Sequence, residues 1–337
     1  MAPFPRSTQA NDGTLEIDPE RPIFKISASE TKDFRRRKSP KTGFPDRSLG
    51  PICDNKHVLG LIVHDTMTFT TEGVPLGLLD LQCWARSGIG SSEERYGKPI
   101  EEKESFKWIQ SYRAVSQVQN RCRKTMLVVM GDREADIHEI FAEQAAMPHG
   151  AQLLIRAERS RNRQVLDDED GQEPLWPLLE QQPVIGEREL LVPPSENRKA
   201  RKAVLAVRTA PVVLKPPKRK PNLAKVPVWA VLAQEMNAPE GVEPLEWMLL
   251  TTVEVQHKED AFQRLSWYAR RWGIEVYHRI LKSGCCVEAR QLENSRRLSN
   301  CLALPYTRKY GLDMEFHFVQ TERHETTEPD QARTVES

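Results

Sequence analysis

At 337 residues the chain is long enough to bury a sizeable core as one or two domains. With 39% hydrophobic and 29% charged residues it has the composition of a soluble globular protein, and no run of 18 apolar residues offers a membrane span. The net charge of +1 does not mark a nucleic-acid binder by itself, although basic clusters stand at Arg35–Lys38, Arg198–Lys202 and Lys215–Lys220 and an acidic one at Asp167–Asp170. Such clusters are commonly solvated loops. The N-terminus, MAPFPRSTQANDG, lacks a basic segment followed by an apolar stretch, so no secretory signal is expected. The six cysteines form no CxxC or Cys/His cluster, which implies neither a zinc site nor a disulfide scaffold and points to a reduced, cytoplasmic setting.

Residues 1–20 read as an irregular lead-in. A short strand is expected around Ile23–Ile26, then a basic, Pro- and Gly-containing loop over 35–55. Leu59–Phe69 reads as a strand. The turn Thr71-Glu72-Gly73-Val74 and a second strand over Leu76–Trp84 make a β-hairpin. Glu101–Arg123 carries a helical pattern through Phe106, Ile109 and Tyr112. Met126–Met130 is a continuous apolar run, typical of a buried strand, and it ends at Gly131-Asp132-Arg133-Glu134-Ala135-Asp136 before a new helix. Asp132 therefore falls at the C-terminal end of a central strand, a position that commonly holds functional groups; the alternative is that Asp132 or Asp136 caps the following helix.

Gln152–Ile155 is a further short strand, leading to Arg156. From about 160 to 245 proline is frequent and strand-like runs recur at Glu189–Val192, Ala203–Val207, Val212–Leu214 and Val228–Leu232. This is a β-rich segment. Trp247–Val255 returns as a strand. Next comes YARRWGIEVYHRILK, Tyr268 to Lys282. Wound as one helix, it places Tyr268, Arg271, Glu275, His278 and Lys282 within roughly 80° of each other. An ordinary solvated stripe would also be charged. A carboxylate flanked by cations one and two turns away also suits a metal ion held beside a polyanion. After Leu304 the pattern fails, and the tail is polar.

Tyr268, Arg271, Glu275 and Lys282 have Y-x2-R-x3-E-x6-K spacing, with Trp272 and Ile274 beside them. This resembles the signature of bacterial insertion-sequence transposases of the DDE type, the IS-four group that includes the Tn-five-like enzymes. The resemblance runs from about Pro51 to Leu304. GDREADI at 131–137 is similar to the motif of the second catalytic Asp, and LIVHDTMTFTTEGVPLGLLDLQCWAR to the second and third core strands. The resemblance implies an α/β fold: a ribonuclease-H-like core with a β-rich insertion between the second catalytic Asp and the Glu helix. The implied units are a lead-in (1–20), the first part of the core (21–158), the insertion (159–244), the rest of the core with the Glu helix (245–304) and an irregular tail (305–337).

The same resemblance makes Asp132 and Glu275 catalytic metal ligands for Mg2+ or Mn2+ in a two-ion site, where three carboxylates would hold the ions for in-line displacement at phosphorus. Tyr268, Arg271 and Lys282 would grip DNA phosphates. Trp247 falls where these enzymes stack an extruded base, and a core tryptophan is the alternative; Arg156 would contact the DNA end or be a surface arginine. Implied partners are DNA, as transposon ends and target, and a second copy in a synaptic complex; the implied location is the bacterial cytoplasm, at the nucleoid, with no membrane.

One departure stands out. The stretch that should open with the first catalytic Asp is Ala28-Ser29-Glu30-Thr31-Lys32-Asp33-Phe34, with Ala28 at that position. A methyl group ligates no metal. On an extended chain Asp33 lies about 17 Å from Ala28 and faces the other side of the strand. Asp65, in HDTMTF, belongs to the hairpin, where the topology puts the second strand rather than the first. Neither end carries the helical regions of the group, so a decayed copy, truncated or frameshifted at both ends and catalytically dead or nearly so, is the expectation. A non-catalytic DNA-binding protein and a related metal nuclease using Asp65 or Asp33 are the alternatives.

Overall fold

The computed structural model of the protein describes residues 23–31, 50–51, 59–86, 98–166, 171–192 and 200–284, with backbone alone at 23–31 and 59–60. Asp33 and the segments at 1–20 and 305–337, on which several expectations fall, lie outside the described residues.

The fold is mixed α/β, built on an 11-stranded mixed sheet. Its strands are β1 (Ile23–Thr31), β4 (Ile62–Thr70), β5 (Pro75–Trp84), β6 (Leu127–Gly131), β7 (Gln152–Arg156), β8 (Gln164–Leu166), β9 (Gln172–Pro174), β10 (Gly186–Val192), β11 (Arg201–Leu214), β12 (Val226–Glu235) and β13 (Glu246–Thr251). Two short strands, β2 (Gly50–Pro51) and β3 (Leu59–Gly60), pair separately. The order across the main sheet is β5-β4-β1-β6-β7-β13-β12-β11-β8-β9, with β10 also on β11. β1, β6 and β7 run parallel to each other; the other pairings are antiparallel. The strands of the β-rich segment thus continue the same sheet, joined to it through β13.

Helices cover both faces. α1 (Phe106–Arg121), α2 (His138–Ala145) and α3 (Leu175–Gln181) lie on one, α4 (Lys258–Arg270) and α5 (Trp272–Arg279) on the other. β4 shows why its sequence reads as a nearly continuous buried run. His64 meets the Trp108 ring edge-on at 4.8 Å and Thr66 bonds Ser111 of α1 at 2.9 Å, while Val63, Met67 and Phe69 join the core under α4 and α5. A strand buried on both sides has no polar face to show.

Two expectations need correcting. Arg201–Leu214 is one strand of 14 residues, not two. Pro211 lies opposite Trp229 of β12, but on its other side neither β10, which stops at Val207, nor β8, which starts at Val213, reaches it. No sheet hydrogen bond is lost there, so proline is tolerated. Within the β-rich segment, Leu175–Gln181 is a helix; its Pro177 sits in the first turn, where a missing N–H costs nothing.

Candidate nucleic-acid interface

The site forms where β6 ends. Gly131 closes that strand, and a Cβ there would stand 2.3 Å from the Ala135 Cβ and 2.9 Å from Ile155. Only glycine lets the chain fold back so tightly. Asp132 follows, half-buried. Its Oδ1 accepts the Glu134 N–H at 2.8 Å and caps the short 3-10 turn Arg133–Ala135. Asp136 does not cap α2; it is buried, accepting the Glu158 N–H and the Arg163 guanidinium.

The helical stretch Tyr268–Lys282 is not one helix. α4 runs from Lys258 to Arg270, opened by a reciprocal cap between His257 and Asp260. Arg271 is the junction, α5 begins at Trp272, and a π-helical turn over Ile280–Gly284 follows. At the junction the Arg271 and Ile274 N–H groups bond carbonyls three residues back. Gly273, a poor helix former, sits in the break, and a Cβ there would come within 2.8 Å of the Phe69 ring. The break lets α5 settle close against β4.

Despite the break, the predicted residues largely converge. Arg271 Nη1 bonds Glu275 Oε1 at 3.1 Å, and its guanidinium lies 6.0 Å from the Tyr268 ring centre. Arg156, at the end of β7, donates to the Glu246 carbonyl at 2.8 Å and is close enough to Tyr268 to act on it electrostatically. Trp247, beside Glu246 on β13, meets Tyr268 edge-on with ring centres 5.3 Å apart. Asp132 is close enough to act electrostatically on Tyr268 and Arg271. Asp132, Arg156, Trp247, Tyr268, Arg271 and Glu275, from β6's end, β7, β13, α4, the junction and α5, therefore share one locus. Lys282 lies farther along, on the π-helical turn.

No family model matches the sequence. Among solved structures, the cryo-EM synaptic complex of piggyBac transposase with hairpin DNA aligns at a TM-score of 0.39 and 8% identity, over 84% of this chain and 44% of that one. The chain thus spans less than half the length of that transposase chain.

Electrostatically the locus sets two largely buried guanidiniums, Arg156 and Arg271, beside two more accessible acids, Asp132 and Glu275. Burial pushes Tyr268 above its ordinary value, with Arg271 and Arg156 opposing, so it stays a neutral phenol. Burial lowers Arg156. Burial also works against Arg271, but Tyr268, Asp132 and Glu275 outweigh it and raise the guanidinium further. Trp247 is half-buried and packs against the core as well as against Tyr268.

Sequence reading passed over one relationship. His278 of α5 bonds Asp65 of β4, and Asp65 stands directly opposite Ala28 in the β1–β4 register. The β1–β6 register pairs Ile26 with Met130 and ends there, with Asp132 following just past the end of β6. Asp65 stands on the hairpin strand β4, as the sequence led us to expect, and that strand lies next to β1. The signal was present: an Asp at the centre of the alternation Leu61, Val63, Met67, Phe69, and a His on the Tyr268–Lys282 face.

Among the described residues, no three His, Cys, Asp or Glu side chains come together closely enough to hold a metal ion. Glu275 is engaged by Arg271 and Asp65 by His278. Among the described residues, the donor set as placed does not form a two-ion centre.

Proposed function

We propose that the chain is a DNA-binding protein of transposase type, with a ribonuclease-H-like core, that grips DNA without cutting it efficiently. The observation that carries this reading is the convergence of Arg156, Tyr268 and Arg271 on one locus between Asp132 and Glu275, in the spacing of the transposase signature. The strand order β5-β4-β1-β6-β7, with the first three antiparallel and the last three parallel, supports the core assignment.

The guanidiniums of Arg156 and Arg271 are polarised and held by neighbours, so they offer prearranged donors to phosphate oxygens at little entropic cost. Tyr268 supplies a neutral hydroxyl beside them, and Lys282 a flexible point charge farther along. Trp247 offers the edge of an aromatic surface to an unpaired base at the DNA end. On this reading Asp132 and Glu275 descend from metal ligands, and Ala28 marks the carboxylate that has been lost. Transposon-end and target DNA are the partners; whether two copies pair is read by light scattering on the same samples.

The test is fluorescence anisotropy of the full chain on labelled duplex, joined to a plasmid nicking assay in manganese with Glu275→Ala as control. We expect salt-sensitive binding that Arg271→Ala weakens, and no nicking above the control. Absence of binding by folded protein overturns the reading. Nicking that vanishes in Glu275→Ala overturns the loss of cleavage, and directs substitution to Asp65, the acid opposite Ala28.

A further inference from the structure

Trp272, the first residue of α5, is 59% exposed, the most of any aromatic side chain among the described residues. A lone exposed tryptophan is ordinary on a protein surface. This one is firmly mounted. The residues on either side of it are packed on the β4–β5 hairpin. The Arg270 side chain lies along the turn at Gly73, its Cδ 3.4 Å from where a Cβ would stand. Gly73 has a φ of +90°, a conformation that favours glycine, and the absent side chain leaves that space to the arginine. On the other side, a Cβ at Gly273 would come within 2.8 Å of the Phe69 ring. Arg271, between them, turns inward to Glu275 and Tyr268. The indole of Trp272 is thus held out from a junction fixed to the sheet on both sides.

Its surroundings match a polyanion that carries flat apolar groups. Arg279 follows Trp272 by seven residues, close to two turns of α5, so the two share a face about 10 Å apart along the axis. Arg270 and Arg279, both exposed, bracket the indole. Glu275 and Val276 lie between on that face, and Glu275 is engaged by Arg271 at 3.1 Å. On the hairpin, Val74 and Leu76 follow the Gly73 turn and are 55% and 37% exposed, so the neighbourhood is apolar as well as cationic. A single strand needs this combination: charge for its phosphates and a flat surface for its bases. A duplex keeps its base faces stacked inside and cannot use the indole. Trp247, by contrast, is half-buried and meets Tyr268 edge-on, inside the locus rather than at the surface.

We propose that Arg270, Trp272 and Arg279 form a surface for unpaired nucleotides leaving the Arg156–Tyr268–Arg271 locus, with a base stacked on Trp272 and phosphates met by the two arginines. The proposal rests on the DNA-binding reading for its partner, and adds to it a preference for DNA with an unpaired tail. The rigid mounting of the junction spares part of the ordering cost of holding such a tail.

The test is fluorescence anisotropy of the full chain on three labelled duplexes: blunt, with a short thymidine tail, and with an abasic tail of the same length. Circular dichroism and melting confirm that each variant folds. The native chain is expected to bind the thymidine tail at least about fivefold more tightly than the abasic one, the lower end of what one stacked base contributes. Trp272→Ala should bring the two tails level, and Trp272→Phe should keep part of the difference. Arg270→Ser/Arg279→Ser should weaken both tailed duplexes alike, because phosphate contacts do not sense bases. Arg271→Ala should weaken all three duplexes. Equal affinity of the native chain for both tails, or a preference that survives Trp272→Ala, overturns the surface while leaving the Arg271 locus standing. A preference removed by Trp247→Ala but not by Trp272→Ala assigns the base to the locus and also overturns the surface. Self-association lost in Trp272→Ala with the tail preference intact shows a second copy as the occupant, with the same consequence. No binding of any duplex by the native chain overturns both the surface and the DNA-binding reading.

Discussion

His278 Nε2 lies 2.9 Å from each carboxylate oxygen of Asp65, joining α5 to β4 across 213 residues of sequence with both side chains almost wholly buried. The pair sits inside the apolar layer made by Val63, Met67, Ile274 and Tyr277. A carboxylate there has no water to fall back on. Removing either partner strands the other, which typically costs about 3–5 kcal/mol. Replacing both by apolar groups removes the desolvation problem as well as the bond. We therefore expect Asp65→Leu and His278→Leu singly to lower the midpoint of urea unfolding strongly, and the double variant to recover much of the loss. An additive double variant would show that the two residues contribute independently.

Glu246 anchors the neighbourhood of Trp247 from the other side. Its carboxylate takes both distances of a close pair with Arg159, at 2.9 and 2.8 Å, and bonds Trp176 Nε1 at 2.9 Å and Gln234 at 3.1 Å. Burial alone would raise its pKa; the bonds from Trp176, Gln234 and Arg159 outweigh that and bring it below the ordinary 4.5. A carboxyl depressed on folding adds stability that is complete above its unfolded value and is lost as pH falls through its folded one. Unfolding measured from pH 6 to pH 3 should show stability declining below about 4.5, and Glu246→Gln should flatten that decline. An unchanged profile would assign the acid loss to other carboxylates.

Asp132 and Glu275 place negative charge beside the cations proposed to meet phosphate. Neutralising either one, as Asp132→Asn or Glu275→Gln, should tighten duplex binding about threefold, on the order of 0.6 kcal/mol. Glu275→Gln should have the larger effect, since it breaks the 3.1 Å pair that occupies Arg271. Weaker binding in both variants would mean that the acids hold the cations in place rather than compete with DNA for them.

What could be read from the residues follows their local physics. The hairpin over 59–84, the buried strand before Gly131 and the helix after Asp136 depend on short-range pattern, and each is visible in the chain. The helix break at Arg271 is not, because it depends on Gly273 meeting Phe69 from 204 residues earlier. The start of α4 at Lys258 was missed for a local reason: its cap is His257 rather than Ser, Thr, Asp or Asn, and Asp260 completes it. Spacing grouped Tyr268, Arg271 and Glu275, which the fold also brings together, but not the Asp65–His278 pair, which joins β4 to α5 only in the folded chain. The long β11 was hidden by Pro211, which looks like a terminator until its empty side is seen.

Gly131→Ala puts the dependence of the site on one backbone turn to direct test. The added methyl group would overlap the Ala135 Cβ, 2.3 Å away, and crowd Ile155 at 2.9 Å. Ala135 is fully buried and follows Asp132 within the 3-10 turn, so it has nowhere to retreat without moving that turn. Overpacking of this kind costs about 1–3 kcal/mol. The distinguishing outcome is in binding. If the Asp132 turn sets the geometry of Arg271 and Tyr268, Gly131→Ala should weaken duplex binding at a temperature where the variant is still fully folded. The paired variant Gly131→Ala/Ala135→Gly removes the methyl it collides with, and should restore part of both stability and affinity. Stability lost with affinity intact would confine Gly131 to packing and separate the turn from the DNA-contacting locus.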